Sequence, residues 1–408
     1  MAWSMMQELR DDPVVVTGVG AWTGVGLGAA ALVGAAREGR RGGQWVEVDG
    51  QRYAGCLVEE GATGGWGRRL DPSVRFAMGA AAEAWVQAGL GGGGGAINGA
   101  RVGVAAGTSR GCQGQWAAAG AALAGGRRAR PTMAATTTLA ALSGAVAQQV
   151  GARGPGMTLS ATCASGAAAI AYAAEQLLLG QADVMLAGGA DAVRQGLVFP
   201  GMAAAGVLGS GEDAGRVCRP FEAARDGLLL GEGAGFLVME RASHAAARGA
   251  VALGRVAGWA LRVHDAAGKT GLSEDGATLA AAIREALRLA GGGEVAYVNA
   301  HGTGTRLNDR AEVAALRAVF GDRLPPLSST KPVTGHCLGA AAALEAVIAL
   351  AARQEGWVPP QAGRGELDAS LGPLEVPREA GQALGPGLVL SNSLGFWGYH
   401  GVLVFGGI

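Results

Sequence analysis

Charge is the first thing this sequence has little of. Asp, Glu, Lys and Arg make up only 16% of its 408 residues, and 33 basic side chains balance 33 acidic ones. No net field draws the chain to nucleic acid, to an anionic membrane or to acidic ligands, so partners have to be recognised locally. Cysteine is scarce as well. Cys56, Cys112, Cys163, Cys218 and Cys337 are odd in number, widely spaced and never in a CxxC pair, which indicates neither a disulfide framework nor a zinc site. No uncharged apolar run reaches the roughly 18 residues of a membrane helix. The first residues, MAWSMMQELRDDP, carry Glu8, Asp11 and Asp12 where a signal peptide would have its apolar core. A soluble protein of the reducing cytoplasm is expected.

What is present is apolar and small. Hydrophobic residues reach 49%, and 74 glycines are spread through periodic segments instead of a fixed repeat, which suits small-residue packing better than disorder. The length allows two packed domains or one large pseudo-symmetric one. Val14–Thr17 reads as a strand, followed by a glycine-rich turn and an alanine-rich helix over 29–37. That turn resembles a dinucleotide fingerprint, but Thr23 stands where the third glycine should be. Leu70–Leu90 has the Asp-Pro start and spacing of an amphipathic helix. The glycine run 91–95 after it lacks the Lys-Ser or Lys-Thr of a phosphate loop and reads as a flexible link. Further strands are expected at 101–107, at 182–187 closed by Gly188 and Gly189, and at 295–299. Helices are expected at 136–150, 276–290 and 311–320. Strands alternating with helices imply a mainly parallel or mixed α/β sheet, with comparable order in the two halves.

One stretch is chemically loaded. In MTLSATCASGAAAI, residues 157–170, Cys163 lies between a strand-like run and a run of small residues that reads as a buried helix. The positive end of such a helix stabilises a thiolate at its first turn. A free cysteine in an alanine-rich helix is also ordinary core. Three of the five histidines then fall in glycine-bracketed segments of the second half: His301 in VNAHGTGT, His336 in SSTKPVTGHCLGA and His400 in SLGFWGYHG. Loops on strand ends are where active-site groups are usually carried. Lys331 before His336 and Glu345 after it offer a cation and a carboxylate that can set a histidine's tautomer and charge.

Taken together, TCASG, RPFEAARDGLLLGEGAG, VNAHGTGT, STKPVTGHCLGAA and NSLGFWG resemble the β-ketoacyl-acyl carrier protein synthases of the elongating, KAS II-like type. The resemblance runs from VVVTGVG near the start to GVLVF at the end. It implies an α/β thiolase fold, two pseudo-symmetric halves in a five-layer αβαβα arrangement. Residues 1–250 would carry the nucleophile and 251–408 the two catalytic histidines. The implied reaction is a decarboxylative Claisen condensation of an enzyme-bound acyl group with malonyl-acyl carrier protein, in fatty-acid or specialised polyketide biosynthesis. No metal and no resident cofactor are implied, since the phosphopantetheine arrives on the carrier protein.

By the same resemblance Cys163 accepts the acyl chain, and His301 and His336 handle the malonyl thioester. Lys331 and Glu345 support His336, and the backbone N–H groups of Cys163 and Phe396 form the oxyanion hole. Phe396 is the gate, and Thr303 and Thr305 bind the pantetheine arm. The implied partners are acyl carrier protein, acyl and malonyl thioesters, and a second subunit in a homodimer or ketosynthase heterodimer. Carrier proteins are acidic, so Arg68, Arg69, Arg127, Arg128 and Arg130 are docking candidates. A second histidine in place of asparagine separates the chain from initiating and chalcone-type synthases. The absence of a cysteine near the C-terminus separates it from thiolases, and the presence of Cys163 from chain-length factors.

Two departures bear on substrate. The family's gate reads Gly-Phe-Gly-Gly, then Thr or His, then Asn. Here it is Gly395, Phe396, Trp397, Gly398, Tyr399, His400, which brings Trp397 and His400 in as candidate substrate-binding residues and stiffens the gate. The loop VHDAAGKTGLSEDG is short and lacks the family's Thr-Pro segment. A specialised ketosynthase is the expectation. The alternatives are an acyltransferase or malonyl decarboxylase of the same fold, or a mainly structural subunit of a ketosynthase heterodimer.

Overall fold

The structure, a computed structural model, describes residues 2–59, 69–91, 97–264, 273–378 and 381–408. The glycine run at 92–95, Arg68 and residues 265–272 of the short loop lie outside the described residues. Ten strands form the continuous run of the main sheet: β1 Val14–Thr23, β2 Val102–Gly107, β3 Gly156–Leu159, β4 Val184–Asp191, β5 Gly233–Arg241, β6 Gly254–Val263, β7 Val295–Asn299, β8 Leu327–Ser328, β9 Leu388–Leu394 and β10 Tyr399–Gly406, and the two-residue strand Gly26–Leu27 pairs off β1 as an eleventh. Their spatial order is β3-β2-β4-β5-β1 followed by β6-β10-β9-β7-β8. Numbered from the first strand of each half, both runs have the order 3-2-4-5-1. In each, the third, second, fourth and first strands run in one direction, and the fifth is antiparallel to both its neighbours, the fourth and the first. The halves meet where β1 and β6 pair antiparallel through Val15–Arg255 and Val16–Gly254. The pseudo-symmetric α/β architecture expected from the sequence is therefore the one observed.

Helices fill the same slots in both halves. α1 Pro72–Gln87, α2 Ala141–Val150 and α3 Ser165–Leu178 follow the first, third-preceding and third strands of the first half. α4 Ala277–Leu289, α5 Arg306–Phe320 and α6 Ala341–Glu355 do so in the second. α1 and α4 cover the outer faces, whereas α3 and α6 pack on each other between the two halves of the sheet, giving five layers. Position explains composition. Apart from Glu345, the Ala341–Leu350 stretch of α6 is apolar on every face and buried throughout, as a helix sandwiched between the two halves of the sheet requires. Where α3 crosses α6, a Cβ on Gly166 would come within 3.0 Å of the Ala343 nitrogen and the Gly339 carbonyl, so small residues set the approach of the two middle helices.

Close packing also corrects two local readings. The glycine-rich segment after Val14–Thr17 turns only late: β1 runs on through Gly18 and Gly20 to Thr23, and the chain reverses at Gly24–Val25 before Gly26–Leu27 pairs back on β1. A Cβ on Gly18 would lie 2.1 Å from the Ala84 carbonyl, and one on Gly20 2.0 Å from that of Ala80, so these glycines seat α1 against the sheet. β4 likewise passes through Gly188 and Gly189 to Asp191, and a Cβ on Gly188 would meet the Gly235 carbonyl at 2.0 Å. The α1 boundary follows from its cap, because the Asp71 side chain accepts from Ser73 N–H at 3.0 Å and Pro72 opens the first turn. The helix expected at 136–150 begins at Ala141, and the one expected at 311–320 begins at Arg306. Among the described residues no helix is long and apolar enough to cross a membrane.

Candidate active site

The pseudo-dyad brings equivalent loops together at one point. Cys163 ends the segment between β3 and α3, and His336 precedes α6 after β8, so the N-terminal ends of the two middle helices face each other. His336 Nε2 lies 3.1 Å from Cys163 Sγ. His301, just beyond β7, presents its ring edge-on to His336 with centroids 5.1 Å apart and planes at 84°. The ligand-type atoms of these three residues all lie within 4.8 Å of one another, and all three side chains are buried.

Cys163 is held on a strained elbow. Thr162 has φ +51°, a left-handed conformation costing a non-glycine residue on the order of 1 kcal/mol. Its carbonyl accepts from Ser165 Oγ at 2.6 Å, and Ser165 Oγ accepts from Ala161 N–H at 2.9 Å. Thr162 Oγ1 donates to the Phe396 carbonyl at 3.3 Å, which ties the elbow to the gate. A Cβ on Gly395 would collide with Thr162 Oγ1, so glycine is required there for the gate to lie against the elbow.

The electrostatics differ from the expectation of a helix-activated thiolate. α3 begins at Ser165, and Cys163 sits before its N-cap, Ala164. Burial pushes the thiol up to about 11. The charges of Lys331 and Arg110 and the Phe396 backbone N–H draw it down only in part, and Asp191 adds to the rise. His301 and His336 are both held well below the usual imidazole value, first by burial and then by the Lys331 charge. The centre is a thiol beside two neutral imidazoles. Lys331 Nζ pairs with Glu345 Oε1 at 2.5 Å, both side chains buried, so lysine and glutamate engage each other and not the His336 ring. Burial raises the Glu345 pKa against the pull of Lys331.

A cavity of about 180 Å³ opens on this centre, lined by Cys163, His301, His336, Thr303, Thr305 and Phe396 among others. Thr303 and Thr305 are hydrogen-bonded to each other through their hydroxyls at 3.0 Å. The other two candidate substrate contacts are elsewhere. Trp397, at φ +63° and 59% exposed, borders a neighbouring cavity. His400 is buried on β10 opposite Leu394, outside the lining of the catalytic cavity, and burial holds its pKa down at about 4. Arg69, Arg127, Arg128 and Arg130 are exposed. The last three border a surface cleft of about 480 Å³.

Four buried carboxylates escaped the sequence reading. Glu312 accepts from the His301 and Gly302 N–H groups at 2.8 Å each and from Asn392 Nδ2 at 3.0 Å. Asp309 accepts from Phe221 N–H at 2.8 Å and Gly304 N–H at 3.2 Å. Asp191 accepts from the N–H groups of Ser109, Arg110 and Gly339 at 2.7–2.9 Å. Glu232 accepts from those of Val58 and Val193 at 3.2 and 3.0 Å. Each pins a loop around the site, and burial raises the pKa of all four, to about 7 for Glu312 and about 6 for Asp191. The available signal was an acidic residue inside or beside a glycine-rich motif, as in GGAD, GEGAG and HGTGTRLNDRAE.

The doubled 3-2-4-5-1 sheet with paired middle helices is the fold of the thiolase-type condensing enzymes. The family model described as beta-ketoacyl synthase, N-terminal domain, matches residues 58–245, and that of the C-terminal domain matches 253–364. The chain is 34% identical to 3-oxoacyl-[acyl-carrier-protein] synthase 2 of Vibrio harveyi over 96% of this chain and 98% of that protein. Two solved structures superpose with a TM-score of 0.87, each over 97% of this chain and 99% of the other. One is the ishigamide ketosynthase/chain length factor, at 32% identity. The other, at 28%, is a type II PKS acyl-carrier protein in complex with its ketosynthase bound to the hexaketide. The chain belongs to the β-ketoacyl synthase family.

Proposed function

We infer that the protein catalyses decarboxylative Claisen condensation between an acyl group carried on Cys163 and a malonyl group on acyl carrier protein. The observation that carries this reading is the buried set of Cys163 Sγ, His336 Nε2 at 3.1 Å and the adjoining His301 ring. In the first step Sγ attacks the acyl thioester carbonyl, with the developing oxyanion facing the Cys163 and Phe396 backbone N–H groups. The thiol proton passes by way of His336 to the departing pantetheine sulfur. In the second, neutral His301 and His336 donate hydrogen bonds to the malonyl thioester oxygen. The bond to the carboxylate breaks, carbon dioxide leaves, and the enolate carbon attacks the acyl-cysteine and expels Sγ as a thiolate, which takes up one proton from solvent to restore the resting thiol. Two neutral donors at a developing oxyanion in a dry site are worth several kcal/mol. The phosphopantetheine that presents both groups belongs to the carrier protein, so the chain itself uses no resident cofactor.

Carrier docking is assigned to the arginine-lined cleft bordered by Arg127, Arg128 and Arg130, with exposed Arg69 at its margin beside Leu70. A dimer with a second ketosynthase-type chain is assigned to the β3 edge, where Met157 is 44% exposed and the bordering segments leave Trp116 and Leu139 in solvent. The departure at Trp397, which borders the neighbouring cavity, favours a specialised acyl substrate. The test is intact-mass measurement after incubation with acyl carrier protein loaded with acyl groups, followed by malonyl carrier. Wild type should gain the acyl mass and release a β-ketoacyl product, and Cys163→Ala should do neither. Acylation without condensation would favour a plain acyltransferase, carbon dioxide release without condensation a decarboxylase, and no adduct a structural subunit.

A further inference from the structure

A second cavity, of about 310 Å³, adjoins the one that holds Cys163. Met202 and Phe396 line both, so those two side chains are the wall between them. The rest of the second lining is apolar, with Leu197, Val198 and the Trp397 indole, except for one charged group, Arg110. The placement of that arginine is fixed. Arg110 follows β2 in the loop that the pseudo-dyad relates to the His301 loop, and its backbone N–H donates to buried Asp191 Oδ1 at 2.9 Å. Its guanidinium has no hydrogen-bond or ion-pair partner among the described residues, and Nε is shut off from solvent without an acceptor. The Arg110 charge reaches the reactive centre, where it draws down the pKa of both Cys163 and His336.

A planar, permanently charged fork with a buried donor unmatched, set in an apolar wall, is suited to a carboxylate. The surrounding aliphatic and indole surface suits a hydrocarbon chain. We propose that the second cavity takes the far end of the acyl chain and that Arg110 selects chains whose remote end carries a carboxylate. The inference rests on acylation of Cys163 and names the substrate class for that same site. Entry requires Phe396 to leave the dividing wall. Its neighbours set how: Gly395 lies against the elbow, and Trp397 is held at φ +63° beside the second cavity.

The test is competitive acylation of the full chain by acyl carrier protein loaded with matched pairs, a plain acyl group and its ω-carboxy counterpart, from butanoyl to decanoyl. The readout is the mass of the Cys163 adduct. At the length that fits, wild type should take the carboxylated chain about tenfold faster or more, because a site built to bond a polar group rejects the analogue that lacks it. Arg110→Met should lose that preference and gain rate with the plain chain. Arg110→Lys should keep the preference at reduced size, and it carries the test should the methionine variant fail to fold. A wild-type preference for plain chains at every length, or equal changes with both donors in the variants, would overturn the role of Arg110 alone. No adduct from any donor would instead remove the acyl-cysteine reading and this inference with it.

Discussion

At Cys163 two influences oppose each other. The sequence places the thiol beside a helix N-terminus, which favours the thiolate, whereas the fold surrounds it with apolar groups and two neutral rings, which favour the thiol. With burial ahead and the pKa pushed up to about 11, the thiolate is not the resting form, and on the proposed mechanism it is made during the reaction by proton transfer to His336. Alkylation of Cys163 by iodoacetamide should therefore climb about tenfold per pH unit between about pH 7 and 10 without levelling. Peptide mapping separates it from the other buried cysteines, and a plateau near pH 8 would show that the helix end prevails. His400 gives a stability prediction. Its folded pKa of about 4 lies below the ordinary 6.5, so the unfolded chain binds the proton first as pH falls. The stability from this group is whole above about pH 6.5 and is lost as pH falls toward 4, to a limit of about 3 kcal/mol. Urea titrations across that window should show a shallower acid loss for His400→Gln than for wild type, and parallel curves would reject the idea.

Among the elements, strands and helices were largely readable, because their signals are local. β7 matches its hydrophobic run residue for residue, and α1 starts where Asp71 and Pro72 put it. The differences share a cause: glycines in β1 and β4 have the sequence signature of turns, but they remove Cβ atoms that would strike a helix or a neighbouring strand. Whether a glycine bends the chain or thins it for a partner depends on that partner. The loops pose the same problem, since the carboxylates that hold them lie well along the chain from the donors they serve. Glu312 serves the backbone of His301 and Gly302 from a helix that starts beyond them. Glu312→Ala leaves those buried N–H groups and Asn392 without an acceptor, and should lower stability by about 2–4 kcal/mol. It should also reduce kcat for condensation far more than the rate of Cys163 acylation, because His301 enters only at the second step. Equal losses in both rates would argue for general collapse of the site.

Over the whole molecule, the duplicated sheet is what makes a centre out of distant segments. It sets the ends of the two middle helices together, and the buried Lys331–Glu345 pair fastens the loop before His336 to α6 within that middle layer. Lys331→Met should cost about 3–5 kcal/mol by leaving Glu345 charged or forced to protonate in a dry interior. The double variant Lys331→Met with Glu345→Leu should recover much of that loss in chemical denaturation. It should not recover condensation, since the Lys331 charge also helps keep His301 and His336 neutral. Recovery of both together would mean that the pair is only structural.

The sequence by itself determined the family, the α/β alternation, and the glycine-bracketed motifs that carry Cys163, His301, His336 and Phe396. These are carried by short motifs and by the periodicity of segments that fold much the same in any context. Only the tertiary structure decided that Cys163 rests as a thiol, that Lys331 answers Glu345 and not a histidine, that His400 stands outside the catalytic cavity, and that Arg110 faces a second cavity across Phe396. Each of those facts depends on burial and on distances between segments far apart along the chain, and neither exists until the two halves have closed on each other.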